Sequence, residues 1–323
     1  MLRVMVPRTG RIAPVPVGEK LPADAFWIDM LAPDPAEERE VEAALGIDVP
    51  TRHEMREIEP TSRLYERDGA LFMTATIVGA ADSDEPVGEP ITFILTGGRL
   101  VTVRYHDPQS FTAFGTAAAR QPDSCRTGTT AFIWLLEAIV DRLADILEMV
   151  GNDLDRTSKE LFRRSPEHSK TLTSSFSDIV RRIGISNDRT SKVHESLVSL
   201  KRLLGFLRLP AEAEDREQLG VRLDSLKLDV TSLTDHVSYL SGNITFLLDA
   251  SLGMIAIEQN SIIKIFSVMA VVFLPPTLVA SIYGMNFGVM PELHWPWGYP
   301  FAIGLMILAA VLPYWFFKKR GWL

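Results

Sequence analysis

The sequence predicts an α+β domain first, long stalk-like helices after it, and two transmembrane helices at the C-terminal end. Three observations carry that reading. Short alternating segments punctuated by Asp-Gly and Gly-Gly pairs fill the first third, helical periodicity follows from residue 129, and the last fifth holds two long stretches without formal charge. The corresponding divisions are residues 1–128, 129–264 and 265–323.

In residues 1–128, SRLYERDGALFMTATIVGA reads as a hairpin about Asp68-Gly69, and ITFILTGGRLVTVRYH as a second about Gly97-Gly98. Such pairs suit two-residue turns whose central residues both take positive φ. PDPAEEREVEAALGI reads as a helix opened by proline, with acidic residues in the first turn, where the helix dipole favours them.

From 129 to 264 the strand signals stop. Phe132, Leu135, Leu136, Ile139, Leu143, Ile146, Leu147, Val150 and Leu154 recur at helical spacing until Ser165-Pro166, and a second helical segment runs from about Thr171 to Leu209. In the third, Leu219, Leu223, Leu226, Val230, Leu233, Val237, Leu240, Ile244 and Leu247 follow spacings of four and three, an a/d seam. Residues 171–209 are expected to return antiparallel and pack on that seam. No proline falls between Pro210 and Pro275, so residues 214–282 read as one helix, on the order of 100 Å long at 1.5 Å per residue.

Ile265 to Pro291 and Leu293 to Phe317 contain no Asp, Glu, Lys or Arg. Each stretch exceeds the roughly 20 residues a helix needs to cross a bilayer, which gives spans at about 265–282 and 299–317. Buried helices of a soluble core are the alternative. The opening MLRVMVPRTGRIAPVPVGEK has basic residues but no continuous apolar stretch, so it does not read as a signal peptide. Lys264 precedes the first span and Lys318, Lys319 and Arg320 follow the second, whereas the loop between has no Lys or Arg. That asymmetry is the positive-inside pattern; it predicts a multi-pass protein of the cell (inner) membrane with both termini cytoplasmic. A single cysteine, Cys125, excludes an intrachain disulfide.

Charge and motifs exclude several function classes. Residues from 261 onward carry Lys264, Lys318, Lys319 and Arg320 against Glu292, a balance of +3, so the net −8 leaves −11 on residues 1–260. An acidic part of this size is a poor nucleic-acid binder and attracts cations. GxxxxGK[ST], GxSxG, HExxH and CxxC are all absent, so no enzyme and no bound cofactor is expected. Glu137, Asp141 and Asp145 stand one helical turn apart and can share a cation, although a solvated helix face explains them as well. No Asp, Glu, Lys, Arg or His lies between Lys264 and Glu292, whereas proton-coupled carriers usually place such a group inside the bilayer. Ser267, Thr277, Ser281 and Asn286 are the polar, neutral residues there. Two helices cannot enclose a pore alone, so a channel built from them is an oligomer.

YGMNF at 283–287, MPELHWPWGYP at 290–300, a second span and the terminal FKKRGWL together resemble the signature of the CorA family of magnesium transport proteins, with Gly284-Met285-Asn286 as the hallmark. The resemblance implies a homopentameric funnel in the lipid bilayer that passes divalent cations: Mg2+, with Co2+ and Ni2+ as further candidates. It implies Gly284, Met285 and Asn286 as the selectivity filter, and Asn260, Ile263, Phe266, Leu274 and Thr277 as pore-lining or gating positions. Glu292 would sit in the outer loop, and Lys264, Lys318, Lys319 and Arg320 would form a basic collar at the inner mouth. Mg2+ is both the transported ion and, bound in the cytoplasmic part, the regulatory one. A related proton-coupled zinc transporter of the ZntB type is the alternative.

Two positions depart from the family pattern. Gly288 stands where an acid follows the asparagine, and Ser225 where a stalk aspartate is expected. Asp224 and Asp229 are the nearby substitutes for a regulatory metal site, with Asp82 and Asp84 as its other half.

Overall fold

The computed structural model describes residues 1–6, 12–14, 20–57, 59–81, 83, 85–121, 126–163, 172–208, 216–285, 290 and 295–320. Contacts divide the chain into two units, Met1–Leu248 and Asp249–Leu323.

Strands β1 (Leu2–Met5), β2 (Ile12–Pro14), β3 (Trp27–Leu31), β4 (Leu64–Arg67), β5 (Ala70–Gly79), β6 (Val87–Thr96) and β7 (Arg99–Arg104) form one sheet in the order β2-β1-β3-β7-β6-β5-β4. Both expected hairpins are present. Asp68 and Gly69 turn β4 into β5 at φ 51° and 74°, and Gly97 and Gly98 turn β6 into β7 at φ 51° and 76°. Positive φ at both central positions matches the twist of paired strands, which is why these sites take Asp-Gly and Gly-Gly. One pairing is parallel, β3 on β7; it joins segments about 75 residues apart and has no local sequence signal.

Helices cover both faces of the sheet. On one side Ile28, Met30, Phe72, Ile94, Val101 and Val103 pack with Val41 of α1 (Pro35–Leu45). Asp34 caps α1 by accepting from the Ala36 and Glu37 amides, Glu37 returns the bond to the Asp34 amide, and Gly46 closes the helix at φ 68°, so every terminal signal in the sequence is used. A single turn, α2 (Pro60–Arg63), leads into β4. On the other side Trp27 meets Phe111 and Phe114 of α3 (Gln109–Arg120), and Phe93 meets Phe132 of α4 (Gly128–Arg163).

Between sheet and helices lies a buried ion pair. Arg104 and Asp29 are each 1% exposed; Arg104 Nε and Nη2 donate to the two Asp29 oxygens at 2.9 and 2.8 Å, and Thr102 Oγ1 donates to Oδ1 at 2.8 Å. Two charges taken out of water persist only when each is hydrogen-bonded as fully as this.

The first turn of α4 touches the sheet directly. Gly128 N donates to Gly98 O at 2.7 Å, and a Cβ at 128 would fall 2.3 Å from Arg99 C and Leu100 N. All nine apolar positions expected on α4, from Phe132 to Leu154, are at most 1% exposed. Helix α5 (Leu172–Phe206) returns antiparallel to α4, with Glu160 paired to Arg182 and Asp153 to Arg189. It packs on the sheet edge, where Ser199 Oγ accepts from Thr76 N at 3.1 Å.

Helix α6 (Arg216–Tyr283) is one 68-residue helix, and α7 (Gly298–Lys319) follows it. The α6 seam is buried at every expected position except Leu233, which is half-buried. The helix runs antiparallel to α5, as expected, and the contacts that set its direction are with α4. Arg222 pairs with Glu137, Leu240 faces Gly151 and the Phe246 ring stacks 6.2 Å from Phe162, so α6 runs parallel to α4.

Candidate functional site

In the second unit the first question is which face of each apolar helix the chain covers. Among the described residues two helices are long and apolar enough to cross a membrane, and only 6% of each apolar window is buried. Helices of a soluble core would be covered all round, so that alternative does not describe them.

At about 100° per residue, Asn260, Ile263, Phe266, Leu274 and Thr277 fall within an arc of about 120° on α6, and all five are exposed. Val268 is buried and Val272, Pro275, Pro276, Val279 and Tyr283 are half-buried; these occupy an arc of about 100° on the opposite side. From Val268 to Tyr283 the covered residues share one side of the helix, and every position singled out in the sequence is on the other; nearer Lys264, Ser261 and Ile265 continue the covered side but are exposed. Lys264 lies about 40° beyond the Asn260 edge of that arc. On α7, Gly298, Ala302, Met306, Ala309, Pro313 and Phe317 form the covered stripe, at spacings of three and four. The small residues of that stripe, Gly298, Ala302 and Ala309, permit close helix approach in lipid.

The ends of the spans are also defined. Gly284 N donates to Ala280 O at 2.9 Å and Met285 N to Ile282 O at 3.3 Å, so the last turn tightens as α6 ends. Gly284 follows the last helical residue and is not among the glycines with positive φ. Its constraint is crowding, since a Cβ would meet Ala280 O at 3.1 Å. Asn286 and Glu292 lie outside the described residues. Inside α6, Pro275 and Pro276 remove two amide donors, and Thr277 Oγ1 donates to Phe273 O at 2.8 Å.

Aromatic residues flank α7 at both ends, a feature the motif reading passed over. Trp295, Trp297, Tyr299 and Phe301 are exposed before and within its first turn, and Tyr314, Trp315 and Phe316 near its last. Lys319 Nζ sits 5.2 Å from the Trp315 ring, and Arg320 Cζ 5.2 Å from the Phe316 ring. Amphipathic rings next to cations are what a membrane–water boundary selects, and Lys318 completes the basic cluster at this end.

Among the described residues the acidic candidates do not converge. Asp224 is exposed and paired with Lys227 at 3.1 Å, and Asp82 and Asp84 lie outside the described residues. Asp229 faces α4: burial, then the Glu137, Asp145 and Asp229 charges, hold the Asp141 carboxyl above its ordinary pKa. Glu137 is bound to Arg222, Nε to Oε1 at 2.8 Å, with Arg222 Cζ 4.8 Å from the Trp134 ring. Among the described residues no group of three or more His, Cys, Asp or Glu is placed to hold a metal.

Comparison with known proteins joins these features to a family. The model of the family described as "CorA-like Mg2+ transporter protein" matches residues 22–319. The chain belongs to the CorA family. The magnesium transport protein CorA of Pasteurella multocida (strain Pm70) is 36% identical over 304 residues, 93% of this chain and 92% of that one. The complete structure of the CorA magnesium transporter from Methanocaldococcus jannaschii aligns with a TM-score of 0.73 at 18% identity, covering 95% of each chain. The ZntB cytoplasmic domain from Vibrio parahaemolyticus is more distant, with a TM-score of 0.52 at 10% identity over 78% of this chain. CorA proteins are membrane transporters rather than enzymes, and the family match takes in the α+β region from residue 22 onward, where no motif carried the resemblance.

Proposed function

We propose that the chain is one subunit of a homopentameric Mg2+ channel that also admits Co2+ and Ni2+, with both termini cytoplasmic. The observation that carries the reading is the open arc of α6: five uncharged positions on one face, opposite the covered stripe, leading straight to Gly284-Met285-Asn286. Helices arranged around an axis with that face inward enclose a pore without a fixed charge.

Mg2+ holds six oxygens in octahedral order and releases water reluctantly. A ring of Asn286 carboxamide oxygens accepts hydrogen bonds from the ion's water shell, so selection follows from size and shape without stripping the ion. The Leu274, Phe266 and Ile263 rings are apolar constrictions that close by dewetting. Thr277 and Asn260 give hydroxyl and amide contacts on either side of them. Entry is driven by the membrane potential, worth about 4.6 kcal/mol per 100 mV for a divalent ion. Glu292 gathers cations at the outer mouth, and Lys264, Lys318, Lys319 and Arg320 form the collar inside. Cytoplasmic Mg2+ bound between neighbouring subunits, at Asp224 or Asp229 on one and Asp82 or Asp84 on the other, holds the gate shut.

Flux into liposomes from the purified protein tests the proposal. Mg2+ uptake is expected to fall about a hundredfold or more in Asn286→Ala, as when a buried polar site loses its partner group. It should be insensitive to a proton gradient. Unchanged Mg2+ uptake by the variant removes Asn286 from the filter, and proton-driven Zn2+ uptake with little Mg2+ flux replaces the channel by a ZntB-like carrier.

A further inference from the structure

The transport reading leaves unused a cavity of about 510 Å3 beside α3. Its sheet side presents Arg3, Asp29 and Arg104, and its helix side Thr112 and Thr116, with Arg120 near the end of α3. Arg104 and Asp29 bond each other, Thr102 donates to Asp29, and Arg104 Nη1 donates to Asp107 Oδ1 and His106 O, so both are satisfied. Arg3 is not. Its Nη2 lies 3.2 Å from Asp29 Oδ2, yet both Nε and Nη2 are buried without a hydrogen-bond acceptor. Arg120 is exposed, and among the described residues no carboxylate pairs with it. Three arginines against Asp29 and Asp107 leave the lining with one positive charge in excess.

We propose that this cavity binds the phosphate group of a small molecule, held by Arg3 and Arg120 with the Thr112 hydroxyl as a further donor. Guanidinium groups present paired donors that match phosphate oxygens. Arg3 is partly exposed and its Nη1 is not among its buried nitrogens, so Nη1 is the donor it can turn to a ligand, whereas a cation would meet the excess positive charge. The volume is in the range of small-molecule pockets and exceeds that of a bare phosphate, which favours a phosphate ester over the free ion. The proposal is independent of what the second unit transports.

Isothermal titration of the full chain in detergent, with inorganic phosphate and with adenosine monophosphate as probes, tests it. Saturable binding is expected for both, tighter for the monophosphate ester; tighter binding of inorganic phosphate assigns the site to the free ion. Arg120→Gln, at an exposed position that leaves the fold intact, should weaken binding about tenfold, the effect of losing one charged donor. Arg3→Gln, which keeps the Arg104–Asp29 pair, should abolish it. No saturable binding of either probe at millimolar concentration overturns the proposal, as does wild-type affinity in both variants.

Discussion

The two ends of α6 are built from the same residue types and meet opposite surroundings. From Leu219 to Leu247 its leucines, valines and isoleucine form a seam that the rest of the first unit covers. From Ile262 to Ile282 the large apolar side chains are mostly exposed: Phe273 is 65% and Leu274 66% accessible. Polar residues fill the gaps in the seam, whereas no charged residue interrupts the second stretch after Lys264. An apolar face exposed on this scale requires lipid or other copies of the chain to cover it. Spacing records a partner inside the chain, and unbroken composition records a partner outside it.

The same truncation at both ends breaks or confirms that distinction most strongly. Leu226→Ala, at a seam position 2% exposed, is expected to cost about 2–5 kcal/mol, the sum of lost transfer energy and a cavity. Leu278→Ala, 59% exposed on the span, leaves no cavity within the chain and should cost under about 1 kcal/mol. Thermal unfolding in detergent measures both; equal losses would mean that the two ends are packed alike.

A substitution that adds a methyl sharpens the comparison at smaller magnitude. In the first unit Gly128→Ala drives Cβ into the Arg99 and Leu100 backbone, and should cost about 1–3 kcal/mol because neither side can yield. In the second, Gly304 has nothing within 4 Å of its Cβ position, and Gly304→Ala should be neutral or stabilising by about 1 kcal/mol, since Ala is the better helix former. Melting temperatures moving in the same direction would sink the contrast between saturated and open packing.

What could be read in advance divides along the same physical line. Asp34, Pro35, Glu37 and Gly46 act within one helix, and Asp68-Gly69 and Gly97-Gly98 within one turn, so local chemistry sufficed to place them. Asp29 and Arg104 lie 75 residues apart, and their pairing depends on the parallel β3–β7 register, which no local pattern encodes. Gly128 carries no local signal, because its constraint is the backbone of β7 rather than its own φ. For the site, the family resemblance named the five α6 positions; that they share one face follows from 100° per residue, and which side the chain covers emerged only from Val268 and the half-buried residues opposite them. The aromatic ends of α7 carried a usable signal, namely Trp and Tyr beside the charge-free stretch, that attention to the Gly-Met-Asn motif obscured.

The smallest expected effect tests the polar edge of the seam, where α4 and α6 bring carboxylates together. Burial and the neighbouring Glu137, Asp145 and Asp229 raise the Asp141 pKa, so in the folded chain its ionised form is disfavoured relative to the unfolded one. A raised acid pKa means that the folded state binds the proton more readily, and stability falls as pH rises from the ordinary carboxylate value through the raised one. The destabilisation is complete above the folded pKa and absent below the unfolded pKa. Asp141→Asn should therefore raise the melting temperature slightly at neutral pH, and the gain should shrink as pH falls into the carboxylate range. Because Asp141 is exposed, solvent screening keeps the effect small. A lower melting temperature for the variant at neutral pH would show that the ionised carboxylate supports the fold, reversing the sign assigned to this edge of the seam.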